Sequence, residues 1–189
     1  MGFTIAELDP STWEVFAELV ERNNGVFGGC WCVGFHEEGK TRGLDRRAVK
    51  LERVRCGTTH SALVLDEDGL AQGWCQWGSP AELPTIKHRR AYLAEPPREP
   101  DWRITCFYVD TRHRGHGVAR AALGGALDQI ARAGGGLVEA IPEVTAGRDA
   151  PGRFLYSATV ELFEDHGFTR RRQVGKHAWI VDRTVDPVR

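Results

Sequence analysis

The chain has little net charge, few cysteines and no long apolar run, and each shortage excludes something. Its 25 Lys and Arg nearly balance its 26 Asp and Glu, for a formal net charge of −1. No global field therefore draws it to nucleic acid, and no nucleic-acid partner is expected. The short basic runs, Lys87-His88-Arg89-Arg90 and Arg170-Arg171-Arg172, read as solvated faces. No apolar run approaches the roughly 20 residues that cross a bilayer, so no membrane partner is expected. The first residues, Met1-Gly2-Phe3-Thr4-Ile5-Ala6-Glu7, lack a basic stretch followed by an apolar one, so no secretory signal is expected. Five scattered cysteines, an odd number, argue for a reduced, cytoplasmic protein rather than a disulfide scaffold. Cys30-Trp31-Cys32 with His36 has no second matched pair, and no metal site is expected. There is no internal repeat and no low-complexity segment.

What is present fits a single mixed α/β domain over residues 1–189, with 41% hydrophobic residues to build a core. Phe3–Leu8 reads as a first strand. A helix follows with Trp13, Phe16, Ala17 and Val20 on one face. Gly25–Gly43 is rich in glycine and aromatics. Leu44–Arg55 has a helical spacing of Leu44, Ala48, Leu51 and Val54. Ser61–Leu65 and Leu70–Trp77 form a hairpin around Asp66-Glu67-Asp68-Gly69. Residues 79–101, with five prolines, form a long insertion-like loop. Ile104–Val109 is apolar throughout, as a central strand buried on both faces would be. A helix carries Val118, Ala122, Leu123, Ala126, Leu127 and Ile130 as one stripe. Leu137–Ile141 is a further strand, and a second proline- and glycine-containing loop runs to Arg153. Thr159–His166 is a short helix closed by Gly167, before two strands near Arg171–Val174 and Ala178–Val181.

Between the central strand and the striped helix lies Arg112-His113-Arg114-Gly115-His116-Gly117-Val118-Ala119. Glycines let the backbone approach a ligand, and the first helical turn presents free N–H groups at the positive end of the helix dipole. Arginines add charge-assisted contacts to phosphate. The turn is neither a dinucleotide fingerprint nor a P-loop: position 120 is arginine, and no Gly-Lys-Ser/Thr occurs.

The turn does fit Arg/Gln-x-x-Gly-x-Gly/Ala, in two registers: Arg112-x-x-Gly115-x-Gly117 and Arg114-x-x-Gly117-x-Ala119. In this it resembles the GNAT superfamily of acyl-CoA-dependent N-acetyltransferases. The order of elements agrees over nearly the whole chain. A second stretch, Ala158–Phe168, resembles the family's helix ending in aromatic-Glu-x-x-Gly-Phe. The resemblance implies a mixed central sheet flanked by helices, with acetyl-CoA in a cleft beside a splayed central strand. Phe107, Tyr108 and Val109 would offer backbone to the pantetheine arm. Arg112, Arg114, Gly115, His116, Gly117, Val118 and Ala119 would hold the pyrophosphate. A primary amine of a small molecule or peptide would attack the thioester directly.

Two departures bear on catalysis. Where many members carry a tyrosine as general acid, this chain has Phe163. Tyr156, which stands where the family often has an asparagine, is the candidate to replace it, with packing as the competing role. Glu139, in a predicted strand beside the cleft, is the candidate base, with an outward-facing strand residue as its alternative. Asp110 is read as orienting the arginine turn, and His113 and His116 as phosphate contacts or exposed residues. Cys106 is read as packing. Phe27, Trp31, Phe35, Trp74 and Trp77 either line an acceptor pocket or fill core. The alternative functions are a non-catalytic acyl-CoA-binding module, or a transferase with another acyl or aminoacyl donor. Edge strands near the C-terminus offer a surface for homodimer pairing.

Overall fold

The computed structural model describes residues 2–147 and 155–188. Seven strands form one sheet in the order β1-β2-β3-β4-β5-β7-β6: β1 Thr4–Glu7, β2 His60–Leu65, β3 Ala71–Gly78, β4 Trp102–Val109, β5 Gly136–Ala140, β6 Thr169–Gln173 and β7 Trp179–Val185. Among the described strands, only β4 and β5 run parallel. The connection between them is α4, Val118–Arg132, whose apolar stripe is buried on one sheet face together with Phe107, Phe163 and Phe168. The other face is covered by α1 (Trp13–Arg22), whose Trp13, Phe16, Ala17 and Val20 pack on Trp74 and Tyr108. Gly73 permits close approach of α4, since a Cβ there would meet Val118 Cγ1 at 2.7 Å and Tyr108 O at 2.5 Å.

The remaining helices are α2 (Arg46–Arg55), α3 (Arg89–Ala94) and α5 (Val160–Glu164). In α2 the inward face differs from the spacing expected. Asp45 caps the helix by accepting from Ala48 N–H at 3.0 Å, so Leu44 lies before it. Ala48 is exposed, while Lys50 and Val54 are buried. The 79–101 excursion is not a bare loop, because α3 lies within it. Arg172 secures α3 from the far edge of the sheet, donating to the carbonyls of Ala91, Tyr92 and Glu95 at 3.2, 3.2 and 2.6 Å. The three-arginine run is therefore not merely solvated: Arg170 pairs with Glu164 and Arg171 with Asp182, both at 2.8 Å. The later proline- and glycine-containing loop falls in part outside the described residues.

Two local events open the sheet at its centre. The β3–β4 register passes from Gln76↔Cys106 to Trp77↔Ile104, so Thr105 is an extra residue, a bulge that increases local twist. On the other side, β4 pairs with β5 only from Trp102↔Val138 to Ile104↔Ala140. Beyond Ala140 the chain follows β7 instead: Pro142 accepts from Trp179 N–H, and Glu143 bridges Ala178 and Thr159. The upper half of β4 thus has a partner on one edge and a gap on the other.

Candidate active site

Asp110 N–H donates to Gln72 O at 2.9 Å, which makes Gln72 and Asp110 a hydrogen-bonded pair of the β3–β4 ladder. Antiparallel pairs alternate, so Tyr108 is bonded to β3, whereas Phe107 and Val109 direct their backbone groups to the gap. Of the three residues expected to offer backbone there, Tyr108 offers its side chain alone. The Phe107 N–H is met by the carbonyl of Tyr156 at 2.6 Å. The gap widens into a cleft of about 390 Å³ that Phe107, Val109, Arg114, Gly117, Ala119 and Thr159 help to line.

The glycine turn closes one end of this cleft. Gly115 and Gly117 have φ of +78° and +83°, and a Cβ on either would meet nothing within 4 Å, so the backbone faces open space. The first bond of α4 runs from Ala121 N–H to Gly117 O. The N–H groups of Val118, Ala119 and Arg120 are left for a ligand. These donors, at a helix of 15 residues, fit a pyrophosphate.

The turn is fastened by one carboxylate. Asp110 has no exposed surface. It accepts from Arg112 N–H, Nε and a terminal guanidinium nitrogen at 3.0, 3.1 and 2.9 Å, from Arg22 Nε at 3.2 Å and from Asn23 Nδ2 at 3.3 Å. Hydrogen bonding from Arg112, against the opposing effect of burial, holds its carboxyl well below the usual range. Arg112 is thereby committed to Asp110, and it does not line the cleft; nor does His116. Arg114 and His113 do.

Phe163 has no exposed surface and packs edge-on against Phe107 and Phe168, with ring centres 5.9 and 4.9 Å away. It is core, not a proton donor. Tyr156 lines a second cavity of about 320 Å³, on the opposite side of the gap, with Phe27, Phe35, Lys87 and three cysteines. Its hydroxyl is pushed up, mainly by burial and then by Cys106 and Glu143. Lys87 lies over its ring at 5.2 Å and is ion-paired with Glu143 at 2.6 Å, so that part of the first basic run is also not a solvated face. Trp74 and Trp77 are core, and Trp31 stacks on Trp13 with centres 6.0 Å apart.

Glu139 is 3% exposed, which rules out the outward-facing alternative. It lines a small cavity with Thr105 and Ser157 where β4 and β5 part. Tyr92 of α3 donates to it, its hydroxyl 3.1 and 3.0 Å from the two carboxylate oxygens, and Arg103 Nε is 3.6 Å away. Burial raises its carboxyl, while Tyr92 and Arg103 restrain the rise. Sequence reasoning missed Tyr92 and Arg103, whose only signal was their place within the proline-rich excursion and just beyond its end. Among the described residues no group of three or more His, Cys, Asp or Glu side chains is placed to hold a metal ion. Nor is any helix there long and apolar enough to cross a membrane.

The family model described as Acetyltransferase (GNAT) family matches residues 8–168. This chain belongs to the GNAT acetyltransferase family. No curated protein matches it. Among solved structures, a putative acetyltransferase from Acinetobacter baylyi superposes with a TM-score of 0.58 at 14% identity, covering 100% of this chain and 97% of that one. A GNAT phosphinothricin acetyltransferase from Sinorhizobium meliloti, solved in complex with AcCoA, gives 0.56 at 13% identity over 98% and 90%. A putative acetyltransferase from Salmonella typhimurium, solved with acetyl-CoA, gives 0.52 at 17% over 98% and 95%. At these identities the likeness is one of fold: the mixed seven-stranded sheet is the GNAT sheet.

Proposed function

We propose that this GNAT protein transfers an acetyl group from acetyl-CoA to a primary amine of a small molecule or peptide, by direct attack. The observation that carries this reading is the gap beside β4, with the unpaired N–H groups of the glycine turn at its end. Val118, Ala119, Arg120 and Arg114 would bind the pyrophosphate. Phe107 and Val109 would orient the pantetheine arm, and a backbone N–H near Val109 would polarise the thioester oxygen as negative charge develops on it. Glu139, which lines the small cavity where β4 and β5 part, would take the proton of the attacking ammonium through a relay of waters, and its raised carboxyl favours that role near neutral pH. Tyr156 stays protonated well past neutrality and can return a proton to the leaving thiolate. The domain's work is otherwise placement of the two reactants.

Turnover of acetyl-CoA against a panel of amines, followed by free-thiol release, tests the reading. Tight CoA binding without thiol release for any amine would favour the binding-module alternative, to which the buried Phe163 lends weight. The base has its own test. A base must be deprotonated, so the rate should fall as pH drops through a pKa above the ordinary glutamate value of about 4.3. Glu139→Gln should lower kcat about 100-fold and abolish that acidic limb. Rates equal to wild type at neutral and alkaline pH would remove Glu139 from the mechanism.

A further inference from the structure

The cavity that Tyr156 lines borders both of the other two. It shares Phe27 with the donor cleft, and Phe35, Thr85, Ile86 and Lys87 with the small cavity of Glu139. A molecule inside it therefore lies between the donor cleft and the carboxylate. At about 320 Å³ the cavity stands at the lower end of small-molecule sites. That is room for one ring and a short chain, not for a folded partner.

Its walls are aromatic and carry little charge. Phe27 and Phe35 meet the Tyr156 ring with centres 6.2 and 6.1 Å away, at interplanar angles of 70° and 53°. The three rings face in different directions, as the sides of a box do, and leave edges and faces for a fourth ring. Ile86 and three cysteine side chains add soft, apolar surface. Of the described residues that line the cavity, none is Asp or Glu. Its one cation, Lys87, is fixed to the wall: Nζ donates to Glu143 at 2.6 Å and to Ser157 Oγ at 2.9 Å, and lies 5.2 Å from the centre of the Tyr156 ring. A ligand with a second ammonium would meet that cation rather than a carboxylate, and like charges repel. One polar atom is left over. Thr85 Oγ1 is buried and has no hydrogen-bond partner among the described residues. Thr85 N–H donates to the Phe35 carbonyl at 3.2 Å, which ties it to the aromatic wall. A buried hydroxyl without a partner is costly, and a single amino group is enough to meet it.

We propose that this cavity takes a small aromatic monoamine, a primary amine on a short chain from one ring, with the ring among Phe27, Phe35 and Tyr156 and the nitrogen at Thr85. The amine is an acceptor only on the transferase reading, whereas its binding requires no transfer. On transfer, the nitrogen would bond to the acetyl carbon and the carbon–sulfur bond would break with its electrons on sulfur. The proton lost by nitrogen would pass toward Glu139, whose cavity Thr85 also lines, and the CoA thiolate would take up another.

The test is calorimetric titration of the full chain, with and without saturating CoA, so that no turnover occurs. The probes are 2-phenylethylamine, the polyamine spermidine, ethanolamine, and glycinamide as a mimic of a peptide N-terminus. In the better of the two conditions 2-phenylethylamine should bind at least about tenfold more tightly than each of the others, as expected for moving one ring out of water. Phe35→Ala should weaken it about tenfold and leave CoA affinity unchanged. If Phe35→Ala does not fold, Phe27→Ala, at a position 39% exposed, should weaken it several-fold. Any other probe binding as tightly as 2-phenylethylamine overturns the proposal, as does no measurable binding of 2-phenylethylamine or an unchanged affinity in the folded variant. Acetylation of spermidine or glycinamide without affinity for 2-phenylethylamine would overturn the aromatic class and keep the transferase reading. Tight 2-phenylethylamine binding without thiol release from acetyl-CoA would support the site and remove that reading.

Discussion

The two sides of β4 meet their surroundings by different means. On the side of the glycine turn, the groups available to a ligand are mostly main-chain N–H groups, and a single carboxylate, Asp110, fixes them. On the side of Tyr156 and Lys50, buried side chains from distant segments form the surface. Lys50, Thr59, His36, Gln76 and Thr105 are joined there in a chain of hydrogen bonds, with separations of 2.7, 3.1, 3.0 and 3.0 Å. A backbone cradle needs only the right turn and helix start, so many sequences can supply it. A side-chain surface is particular to the sequence that builds it. The difference teaches where the generic part of this protein ends and its own chemistry begins.

The largest effect that would break this comparison concerns the cradle. Gly117→Glu puts a side chain at φ +83° and a carboxylate among the donors. CoA affinity should fall about 100-fold, or about 2.8 kcal/mol at 1.4 per tenfold. Arg114→Ala should cost about tenfold without shifting the unfolding midpoint, whereas Gly117→Glu, strained at φ +83°, should lower the midpoint and still leave the domain folded. Calorimetric titration checks both, and unchanged affinity in the pair would remove the turn from donor binding. Next is the fastening. Asp110→Ala leaves Arg22, Arg112 and Asn23 without their shared acceptor and should lower unfolding free energy by about 2 kcal/mol in a urea titration. CoA affinity should weaken as well, since the turn is no longer held. A stable variant with loose CoA binding would separate positioning from folding.

The effect that is smallest at neutral pH belongs to the other side. His36 is buried and neutral, with a folded pKa of about 3 against 6.5 for the free side chain. The unfolded chain binds a proton over this window and the folded chain does not, so stability should fall as pH drops from 6.5 toward 3. The slope approaches about 1.4 kcal/mol per pH unit from this group. Unfolding midpoints at several pH values, compared with those of His36→Asn, would isolate it. An unchanged slope in the variant would mean that the buried polar chain takes up a proton without cost.

What was legible in the sequence follows the same division. The apolar run of β4, the stripe of α4 and the glycine turn are written in adjacent residues or at one helical period, and the structure has them where the pattern put them. The role of Asp110 was legible because Arg112 is two residues away. The burial of Lys50 was not: counting apolar residues selected Ala48, whereas packing on the rest of the domain turns Lys50 and Val54 inward. The bulge at Thr105 depends on register with β3, and Arg172 reaches α3 across about 80 residues of chain. Lys87 and Arg172 read as surface charges because their partners, Glu143 and three carbonyls, lie far along the sequence. Glu139 was found as a carboxylate in a strand, but Tyr92 and Arg103, which shape its acidity, come from the excursion and its far end.

The bond from Phe107 N–H to the Tyr156 carbonyl has a further consequence. The free protein already carries its own stand-in at the edge of β4. A ligand that pairs with that N–H trades places with Tyr156 rather than filling a vacancy, so the exchange is nearly neutral in hydrogen bonds. It also displaces the backbone that carries the Tyr156 ring. Such a ligand would therefore also alter the shape of the cavity that Tyr156 lines.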